Sequence, residues 1–254
     1  MGIEIKNLNF SYGKKQVLKN INLNFEKGKI YGLLGLNGSG KTTLLKLVLN
    51  LLKEDQGMIF LEGRAKKDYR EEEISKNIAY VPQSITITYD ISVMDFLMMG
   101  FNPFLKLFEK PNREHEEIAE DYLRQVQISH LREKNLNSLS GGELQMVLIT
   151  RALIQNTDFI VMDEPVSNLD LKNQRYIMDK IREVSRKYNK TMIMSLHDPN
   201  LIRKYCDRAI LLKQGEIIGE GIAVESINRK NLREIYDMPF EKIETTNGTN
   251  YVAL

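Results

Sequence analysis

Gly35-Leu36-Asn37-Gly38-Ser39-Gly40-Lys41-Thr42 is the stretch from which the rest of the chain is read. It fits the pattern G-x-x-x-x-G-K-[ST], and its flanks are those the pattern requires, a strand before and a helix after. Lys29–Leu34 is a compact apolar strand, and Thr42–Leu51 carries leucines at 44, 45, 47, 49 and 51, which predicts a helix. Glycines in such a loop let the backbone turn its N–H groups inward around a phosphate. The helix N-terminus adds about half a positive charge. Lys41 is expected to reach the β- and γ-phosphates of a nucleotide, and Thr42 to ligate the Mg²⁺ that accompanies them. Asn37, Gly38, Ser39, Gly40 and Thr43 complete the expected cradle.

A second element lies more than a hundred residues on. Phe159-Ile160-Val161-Met162 is a short buried strand that ends in Asp163-Glu164. A carboxylate there stands at the carboxyl edge of the sheet, where open α/β folds bind ligands. Asp163 is expected to hold Mg²⁺, and Glu164 to orient or deprotonate an attacking water. An Asp-Glu pair at a strand end is common by itself; it gains meaning from the loop at Gly35–Thr42.

A third element is Leu139-Ser140-Gly141-Gly142-Glu143, which opens a helix expected to run to about Gln155. Ser140 caps that helix, and the two glycines bare its first N–H groups. One phosphate cradle is already present, so a second anion site points to a nucleotide shared between two subunits. Guanine specificity would want Asn-Lys-x-Asp, but the corresponding Asn189-Lys190-Thr191-Met192 lacks the aspartate, and no arginine-rich kinase lid is evident.

Around these elements the chain is ordinary in composition. Of its 254 residues, 42% are apolar and 28% charged, which excludes disordered and fibrous classes. With 36 basic and 34 acidic residues the net charge is +2, which argues against a nucleic-acid partner. The single cysteine, Cys206, excludes an intrachain disulfide and fits a reducing compartment; it reads as a small packed side chain. No signal peptide and no run of roughly 18 apolar residues is present, so a soluble, cytoplasmic chain is expected, touching a membrane only through a partner. Two alternating segments, Ile3–Leu8 and Val17–Phe25, read as strands joined at Tyr12–Lys15, with further strands at Met58–Leu61 and Ile78–Val81. From about 84 to 139 helical periodicity takes over, in Val93–Gly100 and Glu114–Val126. Strand and helix then alternate through Leu171–Tyr188, Met192–Ser195, Leu201–Tyr205 and Ala209–Leu212. This predicts one α/β domain over 1–254: a mainly parallel sheet, an N-terminal antiparallel β-subdomain, a helical insertion and a small C-terminal extension from about 221.

Leu139–Glu143 resembles the signature sequence of ATP-binding cassette (ABC) ATPases, a family of P-loop NTPases. The family's other motifs follow in order. Gly35–Thr42 resembles Walker A and Phe159–Glu164 Walker B. Gln83, in Tyr80-Val81-Pro82-Gln83, matches the Q-loop, Ser167-Asn168-Leu169-Asp170 the D-loop, and His197, in Ser195-Leu196-His197-Asp198, the switch histidine. Tyr12 stands where the family stacks an aromatic on adenine. Alone, Tyr12 and Gln83 would pass for ordinary loop residues, and His115 and His130 read as surface or filler.

The resemblance implies an ATPase that couples hydrolysis to transport. Two copies face head to tail and sandwich two ATP molecules, each between Walker A of one and the signature of the other. It implies that Glu164, His197, Lys41 and Gln83 are catalytic and that Thr42, Gln83 and Asp163 hold Mg²⁺. ATP would be bound by Tyr12, Gly35, the rest of the cradle, Ser140, Gly141, Gly142, Glu143 and Asp170. Two positions depart from the family: Met146 replaces a usual arginine, and Val166 a usual threonine.

Val93-Met94-Asp95, Gly100-Phe101-Asn102-Pro103, His197-Asp198-Pro199-Asn200 and Asn231-Leu232-Arg233-Glu234-Ile235-Tyr236 resemble the ATPases of iron-siderophore, haem and cobalamin importers. Molybdate-type oxyanion importers share much of this pattern, and a soluble ATPase of iron–sulfur cluster assembly is the alternative of another class. The importer reading implies integral membrane permease partners, an external substrate-binding protein acting indirectly, and a peripheral position on the inner face of the membrane. The apolar cluster Met94, Phe96, Leu97, Met98, Met99, Phe101, Phe104, Leu105 and Phe108 is expected to be mostly core, with its exposed members forming a socket for a permease helix.

Overall fold

Alternating apolar residues make the first two segments a hairpin, and the computed structural model, which describes residues 2–246 and 248–254, pairs them as β1 (Gly2–Tyr12) and β2 (Lys15–Glu26). Tyr12 pairs with Lys15, so the turn is Gly13-Lys14. The chain continues through β3 (Ile30–Leu34), α1 (Lys41–Val48), β4 (Gln56–Leu61), β5 (Arg64–Ala65), α2 (Glu71–Ser75) and β6 (Ile78–Val81). β4 and β5 join the hairpin in an antiparallel sheet ordered β2-β1-β4-β5.

No strand forms among the described residues between Val81 and Phe159. That stretch holds α3 (Val93–Met98), α4 (Arg113–Gln125) and α5 (Gly141–Ile154), with 3₁₀ turns between them. Then come β7 (Phe159–Met162), α6 (Leu171–Tyr188), β8 (Thr191–Leu196), α7 (Pro199–Tyr205), β9 (Arg208–Lys213) and β10 (Glu216–Ile222). The described chain closes with α8 (Ala223–Ser226), α9 (Arg229–Tyr236) and the hairpin β11 (Phe240–Thr245) and β12 (Gly248–Ala253).

The central sheet has the order β10-β9-β3-β8-β7-β6; its inner pairs are parallel, and only β10 runs antiparallel, against β9. Alternate residues of each strand serve two cores, as a sheet covered on both faces requires. Ile30, Leu34, Ile160, Met162, Met192 and Met194 face the helical layer, while Tyr31, Leu33, Phe159, Val161 and Ile193 face α1 and the antiparallel sheet. Cys206 is buried and free. No helix of the described residues is long and apolar enough to cross a membrane.

The helix after the glycine loop is shorter than its leucine spacing predicts. It ends at Val48 rather than Leu51, because Asn50 turns into the left-handed region at φ 62° and leaves Leu51 exposed. Likewise α3 ends at Met98, and a 3₁₀ turn, Met99–Phe104, replaces its expected last turn.

The strands fix where chemistry collects. β3, β6, β7 and β8 run in parallel and end at Leu34, Val81, Met162 and Leu196, so Gly35, Gln83, Asp163, Glu164 and His197 all emerge at one edge. Gly35 sits where β3 leaves the sheet, and a Cβ there would lie 2.3 Å from the carbonyl oxygen of Leu212 and 2.5 Å from Ser39 Oγ. Gly35→Ala must displace backbone and is expected to cost about 1–3 kcal/mol, read as a lowered melting temperature of the nucleotide-free chain.

Candidate nucleotide-binding site

The glycine loop is shaped by two left-handed residues, Gly38 at φ 80° and Gly40 at φ 108°. Gly40 is also closely packed, with Leu18 Cδ2 2.7 Å from where a Cβ would sit. Lys41 begins α1 and folds back over the loop, its Nζ donating to the carbonyls of Gly35 at 2.7 Å and Leu36 at 3.2 Å. Burial lowers the Lys41 pKa, against the opposing pull of Glu164 and Asp163. Ser39 Oγ is buried without a protein hydrogen-bond partner. The Ser39 N–H turns back to the Leu36 carbonyl at 3.1 Å, which closes the loop on itself.

Asp163 follows β7 and is 3% exposed. Its Oδ1 accepts from Ser195 Oγ at 2.6 Å and from Thr42 Oγ1 at 3.1 Å. Glu164 is held in the left-handed region, φ 48°, and its backbone N–H donates to Ser195 Oγ at 2.8 Å. That turn aims the carboxylate into the cleft. Gln83 Nε2 donates to its Oε2 at 2.6 Å, and His197 Nε2 lies 2.5 Å from its Oε1. Sequence reasoning missed Ser195. The available signal was a hydroxyl ending the apolar run Met192-Ile193-Met194; since Met162 pairs with Met194, the next residues, Asp163 and Ser195, lie side by side.

A cleft of about 860 Å³ opens over this edge. Tyr12, Asn37, Gly38, Gly40, Lys41, Thr42, Thr43, Gln83, Glu164 and His197 line it. Lys15, Gln16, Val17, Lys19 and Gln214, none of them singled out in the sequence, form its remaining wall. Tyr12 stands at its mouth, 49% exposed, edge-on to Phe10. Asp163, Gly35 and Ser39 are not among the residues lining the cleft; Ser39 borders a smaller adjoining cavity of about 240 Å³ with Leu36 and Asn37.

Ser140, Gly141, Gly142, Glu143 and Asp170 are not among the residues lining that cleft. Ser140 is exposed and caps α5; the Glu143 carboxylate returns to accept from the Ser140 N–H at 2.8 Å and its hydroxyl at 2.7 Å. Asp170 caps α6, accepting from Asn173 N at 2.8 Å. His115 closes a capping box with Asn112 and packs on Phe101, and His130 is solvent-exposed. Met146 and Val166 are buried in the helical core, so apolar packing occupies the positions where relatives usually carry an arginine and a threonine.

A phosphate loop at the end of a central parallel strand, facing a buried carboxylate from the next strand but one, makes this a P-loop nucleotide-binding protein. The family model described as ABC transporter matches residues 18–167. A Helicobacter pylori protein described as a "probable iron chelatin transport ATP-binding protein" is 36% identical over 255 residues, spanning 100% of each chain. Among solved structures, an inward-facing conformation described as that of a "putative metal-chelate type ABC transporter" superposes with TM-score 0.88 at 28% identity, covering 100% of this chain and 97% of that one. An ATP-binding cassette solved as a dimer in a post-hydrolysis state with ADP and Pi gives TM-score 0.75 at 26% identity, covering 87% and 98%. The chain belongs to the ABC transporter family and is an ATPase.

The helix-capping contact at Glu143 has a measurable consequence. The Ser140 N–H and hydroxyl, with Lys134 behind them, hold its pKa at about 2, down from 4.5. A depressed carboxylate stabilises the fold above its unfolded pKa, and that contribution fades as pH falls from 4.5 towards 2. Glu143→Gln is expected to lower the urea midpoint at pH 7 and to flatten its decline across that acid interval, checked by urea titrations at stepped pH.

Proposed function

We propose that two copies of this chain close head to tail over two ATP molecules and drive a membrane permease that imports a metal chelate. The observation that carries this reading is the Glu164 carboxylate, gripped on one oxygen by Gln83 and on the other by His197 at the rim of the cleft. A carboxylate so fixed can accept a proton from a water attacking the γ-phosphorus. The new bond joins the water oxygen to phosphorus; the bond to the β,γ-bridging oxygen breaks, leaving ADP and inorganic phosphate. Lys41 offsets charge on the β- and γ-phosphates, and His197 contacts the γ-phosphate. Tyr12 gives the adenine a flat exposed face.

The donors fit Mg²⁺. Thr42 Oγ1, the Asp163 carboxylate and the Gln83 side chain are hard oxygen ligands, and no group of three or more His, Cys, Asp or Glu side chains that could hold a metal exists among the described residues. That suits an ion which takes a few protein ligands and completes its shell with substrate phosphates. When bound, it would neutralise charge on the phosphate oxygens.

The signature supports the dimer. Ser140 and Gly141 are exposed and Gly142 half-buried, and all three stand outside their own chain's cleft. The Gly141 and Gly142 amides would meet the γ-phosphate held by a second copy, and the Ser140 hydroxyl would turn to it from Glu143 Oε2, offsetting charge as an arginine finger does elsewhere. Asp170, at the adjoining loop, would help align the two copies. The cargo class follows from the relatives, whose names specify iron chelatin and metal-chelate transport. The permease and an external binding protein would select the particular chelate. The chain would then sit peripherally on the inner face of the cell membrane.

The permease contact has a candidate surface. Met94, Leu97 and Phe101 are buried core, whereas Met99, Phe104 and Phe108 are exposed at 41%, 48% and 93%. Met99 and Pro103 also line a groove of about 280 Å³ with Leu49, Leu51, Ile74, Tyr80 and Arg151. An exposed groove lined by Met99 and aliphatic side chains, with Phe104 exposed on the same turn, suits an amphipathic helix.

Two outcomes are expected. Glu164→Gln should keep ATP affinity while slowing hydrolysis by about 100-fold or more, and, affinity-tagged in its native host with ATP, should carry a multi-spanning membrane protein through gentle solubilisation. A soluble assembly partner and no membrane protein would overturn the importer reading. Met99→Asp and Phe104→Asp should abolish transport while leaving ATP binding intact; equal loss of both would rule out this surface as the permease contact.

A further inference from the structure

We propose that Tyr236 is a positioning residue for His197, and that the C-terminal segment acts as a strap on the loop that carries this histidine. The inference rests on the hydrolytic role given to His197 above. Tyr236 ends α9, and its hydroxyl donates to the His197 backbone carbonyl at 2.8 Å. Three residues further on, the Asn200 side chain forms a paired contact with the backbone of β12: its Nδ2 donates to Tyr251 O at 3.0 Å, and Tyr251 N donates to its Oδ1 at 2.7 Å. The loop from β8 to α7 is thus held from outside the central sheet at both ends.

The strap is itself anchored. Lys213 Nζ contacts Asp237 Oδ1 at 2.7 Å and the Glu234 carbonyl, tying the end of α9 to β9. The Tyr236 ring packs on Phe240, 5.3 Å between centroids. Burial, with Asp198 adding to it, pushes the Tyr236 pKa up to about 12, so the phenol keeps the proton it donates.

The bond falls on a backbone atom whose side chain reaches Glu164. On the sheet side, that histidine follows β8 directly; on the outer side, the loop is held by Tyr236 and Asn200. An imidazole 2.5 Å from the catalytic carboxylate tolerates little drift, since displacements of about 1 Å can cost about 100-fold in rate. Removing one hydroxyl loosens the loop without emptying the ring's packing site.

Tyr236→Phe tests this in the full chain. The expected result is a fall in kcat for ATP of about 10-fold with KM unchanged. The chain has only three histidines, His115, His130 and His197, so imidazole NMR on ¹⁵N-histidine-labelled protein adds a direct readout. Tyr236→Phe should move the His197 signal, assigned by its loss in His197→Ala, and leave those of His115 and His130 in place; intact signals from those two also report that the variant is folded. An unchanged kcat beside an inactive His197→Ala overturns the strap alone. A parallel loss of kcat and KM, or movement of all three signals, overturns it in favour of a general structural staple. Full activity in His197→Ala overturns the role of His197, and the strap with it.

Discussion

Asp163 Oδ1 accepts from Ser195, at the end of β8, and from Thr42, in the first turn of α1. A carboxylate 3% exposed must be paired, because an isolated buried charge is far more costly than any single contact can offset. Two hydroxyls meet that demand, and in doing so they pin three segments at one point: the end of β7, the end of β8 and the helix that follows β3. Ser195 donates to Asp163 and accepts from the Glu164 N–H, so the same hydroxyl fixes the next residue's backbone. Glu164 is thereby held in a left-handed turn that an unbranched side chain tolerates at modest cost. Its carboxylate can then face Gln83 and His197.

Much of this was legible because it is local. Four-residue apolar runs gave β6 and β7, and α6 falls at Leu171–Tyr188 as read, because Asp170 caps one end and Asn189 turns left-handed at the other. The glycine loop carries its own geometry in its spacing. α1 was over-read because Leu49 and Leu51 continue the leucine pattern after the backbone has stopped obeying it at Asn50. Periodicity reports which face is apolar; it does not report where a single residue leaves the helical region. Ser195, Lys15 and Gln214 were missed for another reason. Their place at the cleft is set by neighbours in the sheet or by the fold of the hairpin, and neither is written in the residues beside them.

The departures at Met146 and Val166 also become intelligible once packed. Met146 lies one turn into the buried face of α5, where its carbonyl accepts from Thr150 Oγ1 at 2.7 Å, and Val166 joins the same core. An arginine and a threonine at these positions would each need polar partners away from water, whereas two apolar side chains fill the space without that requirement. The end of α5 that bears the signature keeps its polar order through Ser140 and Glu143 instead. The electrostatic face of the helix and its buried face are therefore served by different residues, and one can change without the other.

The two grips on Glu164 come from the two strands that flank β7. Gln83 follows β6 and leads into the helical region, whereas His197 follows β8 and leads into α7 and the C-terminal segment. A displacement of the helical region would reach the carboxylate through Gln83, and one of the C-terminal segment through His197. Since a hydrogen bond weakens steeply with lost distance and angle, either displacement would release one oxygen while the other stayed bound. If Glu164 is the base proposed above, its orientation depends on both contacts. On the proposed reading, hydrolysis proceeds only when the permease-facing helices and the C-terminal segment agree, and the short bonds at Glu164 are where that agreement is registered.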